Sequence, residues 1–262
     1  MSDPFQNNPD LVACARLVEQ GDPERFMAAM AAPVAARAVL FPIYAFNVEV
    51  SRAPWVTKEP MIAQMRLQWW ADALEEIRAG GMVRRHEVVT PLALAIGPEG
   101  AARLGDLVEA RRLDIEKAPF EDEAALLSYL ERTAGALAHA AAGALGAGQP
   151  DAGLLAWGRA SGLVRYLRAV PELEARAKLP LPDGRAEAVA RLASGELQAL
   201  RTAGGLGALR RRLGKAPAAA ALEFWQAAPL LRQIASDPAA VAEGRVSLSE
   251  FGRRWRLLWA AR

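Results

Sequence analysis

Arg25–Ala53 reads RFMAAMAAPVAARAVLFPIYAFNVEVSRA, and its interpretation decides the fold. Asp22-Pro23, just ahead of it, supplies an oxygen acceptor and then a residue whose φ is already helical. That is the order of a helix N-terminus. Pro33 divides the stretch and begins another helix, running through Ala35 toward Val50, because a proline at the first helical position gives up no hydrogen bond. Val and Ile occur singly and never alternate with polar residues over several positions, as a half-buried strand requires. The segment therefore reads as two consecutive helices.

The same grammar extends outward. Asp10 precedes LVACARLVEQ and Gly21 closes that helix. A long helix runs from Glu59 to about Ala79 and stops at Gly80-Gly81. Within it Met61, Met65 and Trp69, and Ile62, Leu74 and Ile77, recur at helical spacing. Further periodic runs cover Gly100–Lys117, Asp122–Leu145, Gly153–Ala177, Arg185–Thr202, Ala216–Ser236 and Ser247–Ala261. The expectation is an all-α chain of about nine to eleven helices. Gly146–Pro150, Leu179–Gly184 and Thr202–Gly207 are short connections, not domain linkers, and no internal repeat is present. Residues 1–262 read as a single domain.

Composition narrows the function classes. The 32 basic and 30 acidic residues leave a formal charge of +2, too small to imply a nucleic-acid partner, although the C-terminal third is more basic than the rest. Cys14 is the single cysteine, so an intrachain disulfide and a cysteine metal site are excluded, in keeping with a reducing compartment. Met1–Asp10 lacks the pattern of a signal peptide. Ala134–Gly148, read as the most apolar stretch, is too rich in Ala and Gly for a membrane span. These features point to a cytoplasmic protein, or one peripheral on the inner face of a membrane.

Four segments, in order, carry a family resemblance. They are Arg25–Ala53, MRLQWWADALEEIRAGG (Met65–Gly81), LVEARRLDIE (Leu107–Glu116) and GRASGLVRYLRAVPELEARAKLPLPDG (Gly158–Gly184). Together they resemble the squalene/phytoene synthase family. The resemblance implies an all-α bundle of the trans-isoprenyl diphosphate synthase type with a central cavity. It also implies two aspartate-rich helices whose carboxylates hold Mg²⁺ against a leaving diphosphate. Mg²⁺ requires such oxygens in octahedral geometry, and i, i+4 spacing aims them into one cavity.

The chain departs from that pattern at every implied ligand. Ser51, Arg52 and Trp55 stand at the first motif and Ala169 and Leu173 at the second. Arg52 places a permanent cation where a dication belongs, which disfavours Mg²⁺. Glu49, Glu172 and Glu174 do not restore the motifs. The expectation is thus no metal, no cofactor and no catalytic residue. AFNVEVSRA and GLVRYLRAVPELEARAKLPLP are most similar to the non-catalytic branch that contains the mitochondrial assembly factor of respiratory complex I. That resemblance implies a part in assembling the NADH dehydrogenase complex, with a subunit or assembly intermediate as partner. The competing class is an isoprenoid-diphosphate transferase, or a prenyl-diphosphate or lipid binder, with altered ligation.

Candidate site residues follow. Arg52, Arg165 and Arg168 fall on helices that face the family's cavity, where guanidinium groups suit a diphosphate, an anionic lipid or isoprenoid head group, or an acidic peptide. The structural alternative pairs them internally with Glu49, Glu172 or Asp114. Tyr44 and Trp69 are cavity-wall candidates that read first as core, and Glu49 is the nearby acid. His86 and His139 lack partners at metal spacing. At the C-terminus, Ser247 with Glu250 suggests a capping box. Phe251, Trp255, Leu258 and Trp259 then share one face, with Arg253, Arg254, Arg256 and Arg262 around it. Trp255, Trp259, Arg253 and Arg256 are the candidates for contact with a membrane surface; closure of the bundle is the alternative role of this helix.

Overall fold

The computed structural model describes residues 3–57, 59–116, 118–148 and 151–261; Arg262 lies outside them. The chain forms α1 (Pro9–Gly21), α2 (Pro23–Ala31), α3 (Val34–Arg52), α4 (Pro60–Ala79), α5 (Val89–Ala95) and α6 (Pro98–Arg111). A 3₁₀ turn at Arg112–Ile115 leads to α7 (Glu123–Leu130), a π turn (Glu131–Gly135) and α8 (Ala136–Ala144). Next come α9 (Ala152–Ala175), α10 (Ala186–Ala203), α11 (Leu206–Leu213) and a 3₁₀ helix, Pro217–Phe224. The last three are α12 (Ala227–Ser236), α13 (Ala239–Ala242) and α14 (Glu250–Ala261). Among the described residues there is no strand.

The helix starts have local causes. Asn8 Oδ1 accepts from the Leu11 amide at 3.1 Å, Asp22 from Arg25 at 3.0 Å, Asp122 from Ala125 at 2.7 Å and Asp151 from Leu154 at 3.0 Å. Each satisfies an amide that the helix cannot. Gly80 closes α4 at φ 68°, a conformation that favours glycine. The expected run 216–236 divides into a 3₁₀ helix and α12. The expected helix 122–145 holds the π turn, where Thr133 Oγ1 donates to the Tyr129 carbonyl at 2.8 Å. Three helices lie outside the expected runs, among them the single turn α13. α5 is too short to show periodicity, and α11, partly assigned to a connection, buries only Leu209.

α3 is the centre of the core, packed by α1, α5 and α8, with Leu40, Phe41, Ile43, Tyr44, Phe46 and Val50 all buried. Among the described helices it alone is long and apolar enough to cross a membrane by length and composition, with a mean hydropathy of 1.3. It displaces Ala134–Gly148 from that rank, and most of its residues are core. α4 turns a different face inward than its methionines suggest. Leu67, Trp70, Leu74 and Ile77 are buried toward α6, whereas Met61 and Met65 are exposed. The two apolar rows lie apart around the helix, and only one can face its neighbour.

One close crossing fixes α9. A Cβ on Gly158 would fall 2.9 Å from Gly135 Cα, and one on Gly162 would fall 2.6 Å from Ala134 Cβ. Both are inside contact distance, so the two glycines let α9 lie directly against the π turn. This placement sets the position of Arg165 and Arg168, which follow on the same helix. At the other extreme, α14 buries no residue. Its cap is Ser249 and not Ser247: Ser249 Oγ accepts from the Gly252 amide at 3.2 Å. Glycine at the third position has no side chain to return the bond, so the expected capping box does not form.

Candidate functional site

The six cavity candidates do not share one site. Tyr44, Arg165 and Arg168 belong to a buried polar column between α2, α3, α9 and the 3₁₀ helix at 217–224. Glu49, Arg52 and Trp69 line a separate surface pocket.

The column is built from ion pairs. Arg25 Nε donates to Glu223 Oε2 at 2.5 Å and its Nη1 to Asp22 Oδ2 at 2.7 Å. Arg165 Nη1 reaches the same Glu223 oxygen at 3.1 Å. Arg168 Nη1 donates to Glu24 Oε1 at 2.7 Å, and the Gln226 amide donates to Glu24 Oε2. The Tyr44 ring lies 5.6 Å from the Arg25 guanidinium carbon, within cation–π range. Three guanidinium groups thus face three carboxylates, Asp22, Glu24 and Glu223. The expected internal partners, Glu172 and Asp114, are not the ones Arg165 and Arg168 use.

Burial raises the stakes of this pairing. Arg25 and Glu223 are 4% and 1% exposed, so neither charge can rely on water. Burial opposes ionisation of Asp22, but Arg165 and Arg25 outweigh it and hold the carboxyl below its ordinary value. Burial likewise opposes the charge on Arg25, yet Glu223 and Asp22 raise its pKa. Burial and Glu223 push the Tyr44 hydroxyl well above the phenol range, so it stays neutral. Tyr44 Oη and Glu223 Oε1 have no hydrogen-bond partner among the described residues.

Trp55, at the first implied metal motif, meets residues that follow the second, through other chemistry. Trp55 lies 5.4 Å from the Arg176 guanidinium carbon and 5.0 Å from Lys178 Nζ. Lys178 Nζ donates to the Asp114 carbonyl at 3.0 Å. Tyr129 Oη donates to the Asp114 carboxylate at 2.8 Å, and Arg111 Nη1 reaches that carboxylate at 3.0 Å. Ser51 Oγ is turned back to the Val48 carbonyl at 3.0 Å. Ala169 and Leu173 offer no donor atoms. Among the described residues, no three His, Cys, Asp or Glu side chains converge as metal ligands. Mg²⁺ wants oxygen donors, so the residues present do not fit it.

The surface pocket holds about 320 Å³ between Glu49, Arg52, Arg66, Trp69, Trp70 and His86. Arg52 is 3.7 Å from Glu49, with its side chain 60% exposed, so this pair of candidates is a screened surface pair. Trp70 is core, but Trp69 is half-exposed at the rim, edge-on to His86 with ring centroids 5.1 Å apart. His86 Nδ1 accepts from the Val88 amide at 3.1 Å, which leaves Nε2 as the ring's free position.

Glu24, Arg25, Glu223 and Gln226 are site residues that the sequence reading passed over. Glu223 carried a usable signal: it is a lone acid inside AAAALEFW (218–225), and a charge in an apolar run must find a partner. The four C-terminal candidates, Arg253, Trp255, Arg256 and Trp259, lie on α14, apart from both clusters.

The family model described as squalene/phytoene synthase matches residues 18–249. Curated relatives include complex I assembly factor 6 of Homo sapiens, 27% identical over 173 residues, covering 64% of this chain and 52% of the relative. The Drosophila melanogaster homologue is 31% identical over 166 residues, covering 60% of this chain and 50% of that protein. The chain therefore spans about half the length of these curated relatives. Among solved structures, a dehydrosqualene synthase superposes with a TM-score of 0.80 at 17% identity, covering 98% of each chain. A squalene synthase from Alicyclobacillus acidocaldarius gives 0.70 at 17% identity, covering 90% of this chain and 97% of that one. At such identities these two show the fold alone.

Proposed function

Since the chain belongs to the squalene/phytoene synthase family, we propose that it is a catalytically inactive member that acts in assembly of respiratory complex I, the NADH dehydrogenase. The observation that carries this reading is the chemistry at the implied metal positions. Ser51, Arg52, Trp55, Ala169 and Leu173 supply no carboxylate, and the Trp55 ring instead has two cations over it, Arg176 and Lys178. A diphosphate leaving group needs its developing charge neutralised. The interior cations of the column are already matched by Asp22, Glu24 and Glu223, and Lys178 beside Trp55 by Asp114. The names of the curated relatives support the assembly role. On this reading the protein works on the cytoplasmic side of the membrane that holds the complex, bound to a subunit or assembly intermediate, without a metal cofactor.

The test is genetic and biochemical. Deletion should lower NADH:ubiquinone oxidoreductase activity in isolated membranes and the amount of assembled complex, and a copy of the gene should restore both. An undisturbed complex in the deletion strain overturns the assembly role. Turnover of farnesyl or geranylgeranyl diphosphate by the purified protein with Mg²⁺ overturns the inactive assignment. A second reading, capture of an anionic isoprenoid or lipid head group, is favoured by Arg52 and Arg66 beside Trp69 in the surface pocket. A shift in Tm with a prenyl diphosphate, lost in Arg66→Ala, tests it.

A further inference from the structure

We propose that α14, with the groove beneath it, docks the protein on an anionic lipid bilayer. Phe251, Trp255 and Trp259 recur every four residues and stack as one ladder along the helix. Successive ring centroids are 6.3 Å apart, with interplanar angles of 11° and 23°. These rings are 77%, 57% and 65% exposed, and Leu258 beside them is 64% exposed. The ladder forms one wall of a groove of about 1240 Å³, whose opposite wall includes Leu206, Leu222 and Trp225. α14 touches the rest of the protein through α2 and the 3₁₀ helix at 217–224, and the Arg210 guanidinium donates to the Ala260 carbonyl.

Charge selects the occupant. Arg210, Arg211, Lys215 and Arg256 surround the groove, and Arg253 lies on the same helix. Among the described residues none of these five cations has a carboxylate partner; the ion pair of α14 is Arg254–Glu250, at 3.0 Å. Cations left unmatched around exposed indoles suit the boundary of a bilayer with anionic lipids. There, indole rings sit at head-group depth and each nearby Lys or Arg adds attraction. The groove then receives acyl chain between the two apolar walls, while the rim faces phosphate. The family model ends at residue 249, just before α14, so the aromatic ladder lies outside the matched stretch while the far wall of the groove lies within it.

The full chain is mixed with vesicles of phosphatidylcholine alone, or of phosphatidylcholine with phosphatidylglycerol, and co-sedimentation is measured. Binding should be at least about tenfold stronger to the anionic vesicles and should weaken as salt rises. Trp255→Ser/Trp259→Ser should lose about tenfold or more in partitioning, with an unchanged Tm. Arg253→Glu/Arg256→Glu should remove the preference for anionic vesicles. Arg211→Glu/Lys215→Glu, on the far wall, should do the same without touching α14, and it decides the matter if the tryptophan variant fails to fold. Absent binding, equal binding to both vesicle types, or wild-type binding by the variants overturns the proposal. A dimer in size-exclusion chromatography that the tryptophan variant abolishes, without vesicle binding, assigns the face to a second copy. Capture by polyglutamate without vesicle binding assigns it to an acidic protein. None of these measurements depends on the NADH dehydrogenase.

Discussion

The interior column and the C-terminal helix are both rich in arginine, and they treat it in opposite ways. Around Arg25, each cation ends on a carboxylate: Arg25 and Arg165 on Glu223, Arg168 on Glu24. On α14, Arg253 and Arg256 have no carboxylate partner among the described residues and stand beside exposed aromatic rings. A cation taken out of water must be matched by an opposite charge, or the fold bears its desolvation. A cation left in water carries no such obligation and stays available to a partner. The difference separates the charges that hold this protein together from those that can attach it to something else.

The largest expected effect comes from breaking the matched side. Glu223→Ala removes the shared partner of Arg25 and Arg165 and should cost about 3–5 kcal/mol, measured by urea unfolding. Replacing the pair together, Arg25→Met/Glu223→Leu, should cost less than the single change, because no buried charge is orphaned. A cost below about 1 kcal/mol for Glu223→Ala would mean that the column is not structural. Steric failure of the same region gives a reference. Gly162→Val drives a side chain into Ala134, which a Cβ would already approach to 2.6 Å, and should cost about 1–3 kcal/mol.

A smaller effect is expected from acid. The folded pKa of Asp22 lies below its ordinary value of 3.8. Its contribution is therefore fully present above the unfolded pKa, and it is lost as pH falls below 3.8 through the depressed folded value. Asp22→Asn should flatten that part of a stability-against-pH curve, and an unchanged slope would remove Asp22 from the column. The smallest effect belongs to the unmatched side. Trp255→Ser/Trp259→Ser should change stability by no more than about 0.5 kcal/mol, since both rings are more than half exposed. A large drop in the unfolding free energy would place α14 in the core and erase the contrast.

Local chemistry explains which parts were legible in the sequence. Asp22-Pro23, Pro33 and Gly80 announce helix ends because caps depend on neighbouring residues, and the structure places α2, α3 and α4 accordingly. The face of α4 was not legible, since two apolar rows compete and only α6 decides between them. The partners of the arginines were hidden by distance along the chain. Arg168 and Glu24 are 144 residues apart, and Arg25 and Glu223 are 198 apart. No spacing rule reaches that far. The nearer acid in the resemblance, Asp114, instead joins Tyr129, Arg111 and Lys178. The altered metal positions could be read because they replace particular donors; what stands there instead, a tryptophan ring with two cations over it, needed coordinates.

The glycines at 158 and 162 carry a consequence for how this chain fails. They let α9 rest against the π turn with no side chain between, and α9 delivers Arg165 and Arg168 to their carboxylates. A bulkier residue at either position moves the whole helix, so its damage spreads well beyond one contact. In a living cell such an allele would be registered as scarcity, because proteases clear more of a chain that is destabilised by even about one or two kcal/mol. Its carriers would present with too little protein of ordinary competence, and a chaperone or a lower growth temperature would rescue them.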